Sequence, residues 1–339
     1  MKKAALALMG IWLGMAVAFA ADPPFKDSVP DTYTVKKGDT LWDISAFYLR
    51  EPWLWPEIWH VNPQIKNPHL IYPGDVISLV YIDGQPRLTL NRGRNVKLSP
   101  QVREMAHGEA IAALPLEAIN SFLSRTRVVA PGELEAAPYV VAGQQKRIIS
   151  GIGDDLYARG TFAGDDGTFG VYRQGDPYVD PETEEVLGVR AQDVGAVQLK
   201  AVNGDVGTAG VLRSEQEIRV GDRLLPGEER KINPVFYPSA PADTIDGVII
   251  AVEGGVNNVG HLDVVAINRG ERDGLVVGNM LAIYKRGETV ADRIAEDTIT
   301  LPPERAGLVM IFRTFEKMSF GLVLNADRPL SVKDLVRNP

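Results

Sequence analysis

The spacing of apolar residues changes several times along this chain, and each rhythm predicts a different element. Tyr33 and Val35 alternate with polar Thr34 and Lys36, which reads as a short strand ended by Gly38-Asp39. Leu41, Ile44, Ala46 and Phe47 then fall on one helical face. Thr40 stands at its N-cap and Asp43 at N3, close to a capping box. Pro56 opens a second helix carrying Ile58, Trp59 and Val61, which ends near Asn62-Pro63. Lys66 to Pro73 is a loop, and Gly74-Asp75 turns into a strand, Val76 to Leu79. Two strands this close can pair, with both helices packed on one face.

Beyond Val80 the alternation continues to about Arg103, predicting extended chain with a turn at Asn91-Arg92-Gly93. Pro115 to Arg127 places Leu116, Ile119 and Leu123 at helical spacing, a short amphipathic helix. From Val128 short Val/Ile/Leu runs are broken by Gly, Asp and Asn, the pattern of small sandwiches or barrels. An internal repeat lies within this region. Moving Tyr172–Leu224 by 112 positions onto Tyr284–Val336 aligns, without a gap, pairs such as Gly195/Gly307, Val197/Val309, Val211/Val323 and Asp222/Asp334. Each copy runs from a YxxG turn through an acidic loop to a V-x-D strand. Two related β-rich subdomains follow, joined by a proline-rich linker, Asn233 to Ala242.

The N-terminus bears on location. Met1-Lys2-Lys3 is a positive start, Ala4 to Ala18 is apolar and uncharged, and Ala18-Phe19-Ala20 fits a small-x-small cleavage site. This predicts export by a cleavable signal peptide and residence in the periplasm. The apolar run is short for a membrane span, which takes about 20 residues. The chain has no cysteine, which excludes thiol catalysis and a lipid-modified cysteine. The formal charge of −8 argues against nucleic acid as a partner.

Four of the five tryptophans (Trp42, Trp53, Trp55, Trp59) lie between Tyr33 and Leu79. The opening YTVKKGDTLWDIS, this cluster and the closing NPHLIYPGDVISL resemble a LysM module, a fold that recognises N-acetylglucosamine in peptidoglycan or chitin. The resemblance implies a shallow sugar groove between two loops. Carried onto this chain they are Gly38, Asp39, Thr40 and Leu41, and Asn67, Pro68, His69, Leu70, Ile71, Tyr72 and Pro73. Backbone groups of the loops would satisfy the sugar's acetamide, while Leu41, Ile71 and Tyr72 suit its methyl group and ring faces. Gly38 and Asp39 also serve a turn and cap, and Leu41 and Ile71 are equally placed to be core. The tryptophans read as packing of a compact module or as a sugar platform, and Trp53 and Trp55 as extra core or as contacts to a neighbour.

Familiar catalytic patterns are missing. None of the four histidines sits in a zinc-protease spacing, and neither S-x-x-K nor G-x-S-x-G occurs. No metal or cofactor is implied. Asp154-Asp155, Asp165-Asp166 and Glu182-Thr183-Glu184-Glu185 read as solvated turns, or as acid/base or calcium sites. Arg87, Arg92, Arg94 and Lys97 form a basic stretch in an acidic protein. It is the solvated face of a hairpin, or a candidate contact that adds to the sheet edge of an acidic partner.

Further stretches extend the resemblance. EPWLWPEIW, SFLSRTRVV, YVDPETEEVLG and LVMIFRTFEKMSFGLVLNADRP are similar to the type IV pilus secretin-associated protein family, over nearly the full length. That family implies a LysM module holding peptidoglycan glycan strands and a β-rich domain around the outer-membrane secretin, present in multiple copies. The expected fold is α+β, with a small βααβ module and a mostly β C-terminal region of two related subdomains. The expected division is signal peptide 1–20, flexible tether 21–31, LysM module 32–80, strand/helix connector 81–127, first β subdomain 128–232, linker 233–244 and second β subdomain 245–339. The function expected is a non-catalytic wall anchor for the secretin. The alternative is a peptidoglycan hydrolase or remodelling factor with an unrecognised site.

Overall fold

The computed structural model describes residues 25–56, 71–82, 85–91, 126–162, 167–227, 236–253 and 258–339. Within them the chain is mostly β, built as one small α+β module and two six-stranded rings.

The module opens with β1 (Thr32–Thr34), followed by α1 (Leu41–Tyr48), a 3₁₀ turn at Pro52–Leu54, β2 (Val76–Ile82) and β3 (Gln85–Asn91). Thr40 and Asp43 form the expected capping box. The Asp43 amide donates to the Thr40 hydroxyl (3.1 Å), and the Thr40 amide donates to the Asp43 carboxylate (3.0 Å). The sheet runs β1-β2-β3, antiparallel throughout. The expected two-stranded sheet therefore has a third strand, because the polar/apolar alternation of 85–91 matches the pleat of β2. Its core is Val35, Leu41, Ile44, Tyr48, Leu49, Trp55, Ile71, Ile77 and Leu88. The expected second helix begins at Trp55-Pro56, and the rest of it lies outside the described residues, as do the turn at Arg92-Gly93 and the helix at 115–125.

The tether expected to be flexible is seated from Phe25 on. Phe25 is buried against the module, and the Lys26 amide donates to the Tyr48 carbonyl (3.0 Å). One aromatic ring supplies enough apolar surface to hold it.

The first ring uses β4 (Thr126–Val129), β5 (Tyr139–Gly143), β6 (Ile149–Ser150), β7 (Asp155–Arg159), β8 (Gly167–Val179), β9 (Val186–Asn203), β10 (Val206–Ser214), β11 (Ile218–Arg219) and β12 (Arg223–Pro226). Thr126-Arg127, expected as the end of a helix, begin β4 and pair with β9, as suits a run of β-branched residues. Pairing closes in the order β5-β7-β10-β9-β8-β12, with β4 added outside β9 and β6 paired to β11.

The second ring uses β13 (Asp246–Val252), β14 (Asn258–Val259), β15 (Val264–Ile267), β16 (Met280–Lys285), β17 (Thr289–Asp292), β18 (Asp297–Thr300), β19 (Glu304–Thr314), β20 (Ser319–Ala326), β21 (Leu330–Ser331) and β22 (Leu335–Arg337). It closes in the order β13-β15-β20-β19-β16-β22, with β14 on β21. Strand for strand this is the cyclic order of the first ring. The V-x-D repeat has the same use in both. Asp222 accepts from the Arg219 amide (2.8 Å) and pairs with Arg173 (2.8 Å). Asp334 accepts from the Ser331 amide (2.8 Å) and pairs with Lys285 (3.0 Å).

The rings are joined by an arm. β12 pairs with β8 only from Phe169 to Tyr172, and beyond Arg173 the β8/β9 hairpin continues past the ring. Its Tyr178 and Leu187 enter an apolar cluster on the outside of the second ring, with Val264, Met310, Phe320 and Leu322. The Tyr178 hydroxyl donates to Glu253 (2.6 Å), and burial is the first cause that pushes its ionisation up. The Asn268 amide donates to Asp180 (2.8 Å), Arg272 donates bidentately to Glu185 (3.1 and 3.0 Å), and Arg286 pairs with Glu182 (3.2 Å). The acidic run expected to be a solvated turn, a catalytic pair or a calcium site is thus an inter-ring clasp. Arg272, then Lys317, hold the Glu185 carboxyl at about 2.

The linker is also engaged. Phe236 is buried in the same cluster, and the Ser239 amide donates to the Gly278 carbonyl (3.1 Å).

Candidate functional site: the two loops of the module

Two left-handed glycines shape the exposed end of the module. Gly38 has φ +96° and Gly74 φ +97°, and a Cβ at either would meet nothing within 4 Å. Glycine is required there by backbone conformation, not by crowding. Each turn is tied by the aspartate beside it. Asp39 accepts from the Lys36 amide (2.8 Å) and from the Tyr33 hydroxyl (2.9 Å). Asp75 accepts from the Tyr72 amide (3.0 Å), and its own amide donates to the Tyr72 carbonyl (3.0 Å). Val35 stitches the two turns together: its amide donates to Asp75 (2.9 Å), and its carbonyl accepts from Gly74 (2.8 Å). The segments Gly38–Leu41 and Ile71–Pro73 therefore lie side by side on one rigid frame.

Within that frame the predicted site residues divide. Gly38 and Pro73 are exposed, and Asp39, Thr40 and Tyr72 are half-buried. Leu41 is 1% exposed and Ile71 0%. Their side chains are taken by the module core, so the expectation that they meet the sugar's methyl or ring is corrected: any contact from these two positions is through backbone. Asn67, Pro68, His69 and Leu70 lie outside the described residues. Asp39 and Thr40 hold the loop in shape through the bonds above, which leaves loop backbone, Pro73 and the Tyr72 ring, among the described residues, as groups that can meet a ligand.

The structure adds Tyr33, which spacing alone assigned only to a strand. Its hydroxyl anchors Asp39, its ring lies 5.1 Å from that of Phe47, and Lys36 Nζ lies 5.9 Å above it. Phe47 is 41% exposed. The pair sets an aromatic surface beside the first loop. Burial, then the hydrogen bond to Asp39, raises the Tyr33 ionisation, so the phenol keeps its proton as donor to Asp39.

The opposite side of the module is occupied. Trp42 is buried in the cluster outside the second ring, and Trp53 packs on the same cluster. Trp55 belongs to the module core, with its ring 6.2 Å from that of Tyr237. Arg305 donates bidentately to Glu51 (2.8 and 3.1 Å). Two of these tryptophans are thus a docking surface for the second ring, and one is core. Trp59 lies outside the described residues.

Arg87, in the expected basic stretch, sits on β3 opposite Val80. Its segment pairs with β2 from Gln85 to Asn91, as the hairpin reading expects, and stands at the edge of the module's sheet. Arg92, Arg94 and Lys97 lie outside the described residues. Among the described residues, no group of three or more His, Asp or Glu side chains is placed to hold a metal ion.

Comparison with known proteins places the module. The LysM domain family matches residues 33–80. An uncharacterised protein of Bacillus subtilis (strain 168), YqbP, is 40% identical over 62 residues, covering 15% of this chain and 28% of that protein. The chain therefore spans little more than a quarter of that relative's length. A LysM domain binds peptidoglycan or related carbohydrate and is not itself catalytic. Residues 33–80 of this chain are a LysM domain.

Proposed function

We propose that this protein is a non-catalytic, periplasmic wall binder that anchors the outer-membrane secretin of a type IV pilus to peptidoglycan. The observation that carries the wall-binding half is the pair of exposed loops at Gly38–Leu41 and Ile71–Pro73, framed by Asp39 and Asp75, within a LysM domain. The secretin half is supported by the likeness of YVDPETEEVLG and LVMIFRTFEKMSFGLVLNADRP to the secretin-associated family. The first stretch supplies the clasp, the second the apolar outer face that receives it.

A shallow groove of this kind binds with a Kd of about millimolar to micromolar, roughly −4 to −8 kcal/mol. Multiple copies around a ring-shaped pore raise that affinity, because each later contact is effectively intramolecular. Export through the leader at 1–20 puts the module in the compartment that holds the glycan.

Co-sedimentation with purified sacculi tests the first half. The chain pellets with the sacculi, and Asp39→Ala, which removes both ties of the first loop, reduces the bound fraction by about tenfold. Binding that persists after deletion of 33–79 overturns the reading. Prolonged incubation that releases soluble muropeptides replaces it with the hydrolase. Loss of assembled secretin in a deletion strain tests the second half; normal secretin and surface pili overturn it.

A further inference from the structure

The second ring carries its own version of the arm that clasps the first ring to it, and among the described residues that version is left uncovered at its tip. By the 112-residue repeat, β17–β18 stands where the tip of β8–β9 stands. The turns are alike in detail. Asp180 accepts from the amides of Glu182 (2.8 Å) and Thr183 (3.1 Å); Asp292 accepts from those of Ile294 (2.8 Å) and Ala295 (3.1 Å). Glu184 and Glu296 both adopt left-handed backbone, φ 59° and 56°. Val290 and Ile299, cross-strand partners, occupy the places of Tyr178 and Leu187.

Occupancy is where they differ. Tyr178 and Leu187 are buried against the neighbouring ring, whereas Ile299 is 45% exposed and Ile294, at the tip, 96%. A two-stranded hairpin is marginally stable by itself, and large apolar side chains at its tip gain from being covered. The first clasp shows what kind of surface suits such a tip: an apolar face bordered by cations, meeting an apolar pair bordered by carboxylates. Asp292, Glu296 and Asp297 border the tip of the hairpin, against one cation within the tip, Arg293, while Lys285, Arg286 and Arg328 lie at its base with Glu288.

The same chain presents a surface of the complementary kind. On the first ring, Lys146 and Arg147, the latter paired with Asp154 (3.4 Å), lead into Ile148 and Ile149, with Ile152 just beyond. The three isoleucines are 74%, 41% and 71% exposed. Leu212, 54% exposed, is brought beside them by the bond from the Gly153 amide to the Val211 carbonyl (3.2 Å). The first ring's outer face at the positions equivalent to the second ring's acceptor is polar (Gln198, Lys200, Thr208), so the Lys146–Ile152 edge is the receiving surface. Hairpin and edge are both exposed in one chain, so the hairpin that fills the edge comes from another.

We infer that the β17–β18 hairpin of one copy seats on the Lys146–Ile152 edge of a second copy, so that chains associate head to tail. Such a contact is heterologous: it uses different surfaces on the two partners and propagates into a ring or a file. The inference concerns contact between copies and stands whether or not the wall or a pore is what they hold.

The chain has no cysteine, which allows a clean test. Sedimentation velocity of the purified chain over a range of concentrations is expected to show association. Ile294→Asp or Ile148→Asp weakens it by about tenfold or more, with the circular dichroism spectrum unchanged, because both side chains are exposed. Mixing I294C chains with I148C chains under oxidation is expected to give a crosslinked dimer that neither yields alone. A monomer at every concentration, no mixed crosslink, or I294C chains that crosslink to themselves as readily would each overturn the inference.

Discussion

The two rings share a strand order and differ most on their outer faces. Inside, Val197 and Val309, or Val211 and Val323, are equivalent and buried alike. Outside, Leu308, Met310, Phe312, Phe320 and Leu322 of the second ring correspond to Ala196, Gln198, Lys200, Thr208 and Gly210 of the first. The second ring's outer face is a core, covered by the clasp on one side and the LysM domain on the other. At the equivalent positions the first ring's is polar, with Lys200 paired to Asp155 and Thr168 bonded to Gln198 (3.0 Å). Inward positions are thus common to both copies because the barrel needs them. Outward positions have followed whatever covers each ring, which makes the outer face a record of neighbours.

The largest test of that contrast is at Phe320, which is buried and makes ring contacts with Tyr178, Phe312 and Phe315. Phe320→Ala should cost about 3–5 kcal/mol in urea unfolding, while Thr208→Ala at the equivalent place should change stability by about 0.5 kcal/mol or less. Similar costs at the two positions would break the contrast. Next come the shared aspartates. Asp222→Ala and Asp334→Ala should each lose about 1.5–3 kcal/mol, the worth of a hydrogen bond to a charged group. A large inequality between them would show that the rings use the motif differently.

A smaller effect follows from acid. Glu185 is held at about 2 against an ordinary 4.5, first by Arg272 and then by Lys317. Its folded value is depressed, so its contribution is complete above 4.5 and is lost as the pH falls toward 2. Stability measured through that window should fall less steeply in Glu185→Gln than in the parent chain. The smallest effect belongs to the LysM core. The Tyr48 hydroxyl is buried without a hydrogen-bond partner among the described residues, and burial, with Asp31, raises its ionisation to about 12. Tyr48→Phe should be neutral or stabilising by up to about 1 kcal/mol in thermal unfolding; a loss would reveal a partner for that hydroxyl.

What was legible in the chain was local or periodic. The capping box at Thr40, the turns at Gly38 and Gly74 and the loops they frame are short-range features, written within a few residues of each other. The repeat is legible for a related reason: equivalent inward positions face equivalent constraints. What escaped was set by distant partners. Nothing near Glu182 or Glu185 announces Arg286 or Arg272, about a hundred positions away, so an acidic turn reads as solvated. Leu41 and Ile71 have the same apolar identity whether they meet a ligand or a core, and only packing separates the two. Trp53 reads equally as extra core or as a contact to a neighbour, and only the second ring beside it decides between them.

The seat of the LysM domain has a mechanical meaning. The domain comes first in the chain but rests on the ring that comes last, through Trp42, Trp53 and the Glu51–Arg305 pair. A pull applied at its exposed loops therefore reaches the strands around Arg305 directly through that seat. Mechanical order in this protein is thus the reverse of its chain order: load taken up by the first domain passes through the seat to the last ring first.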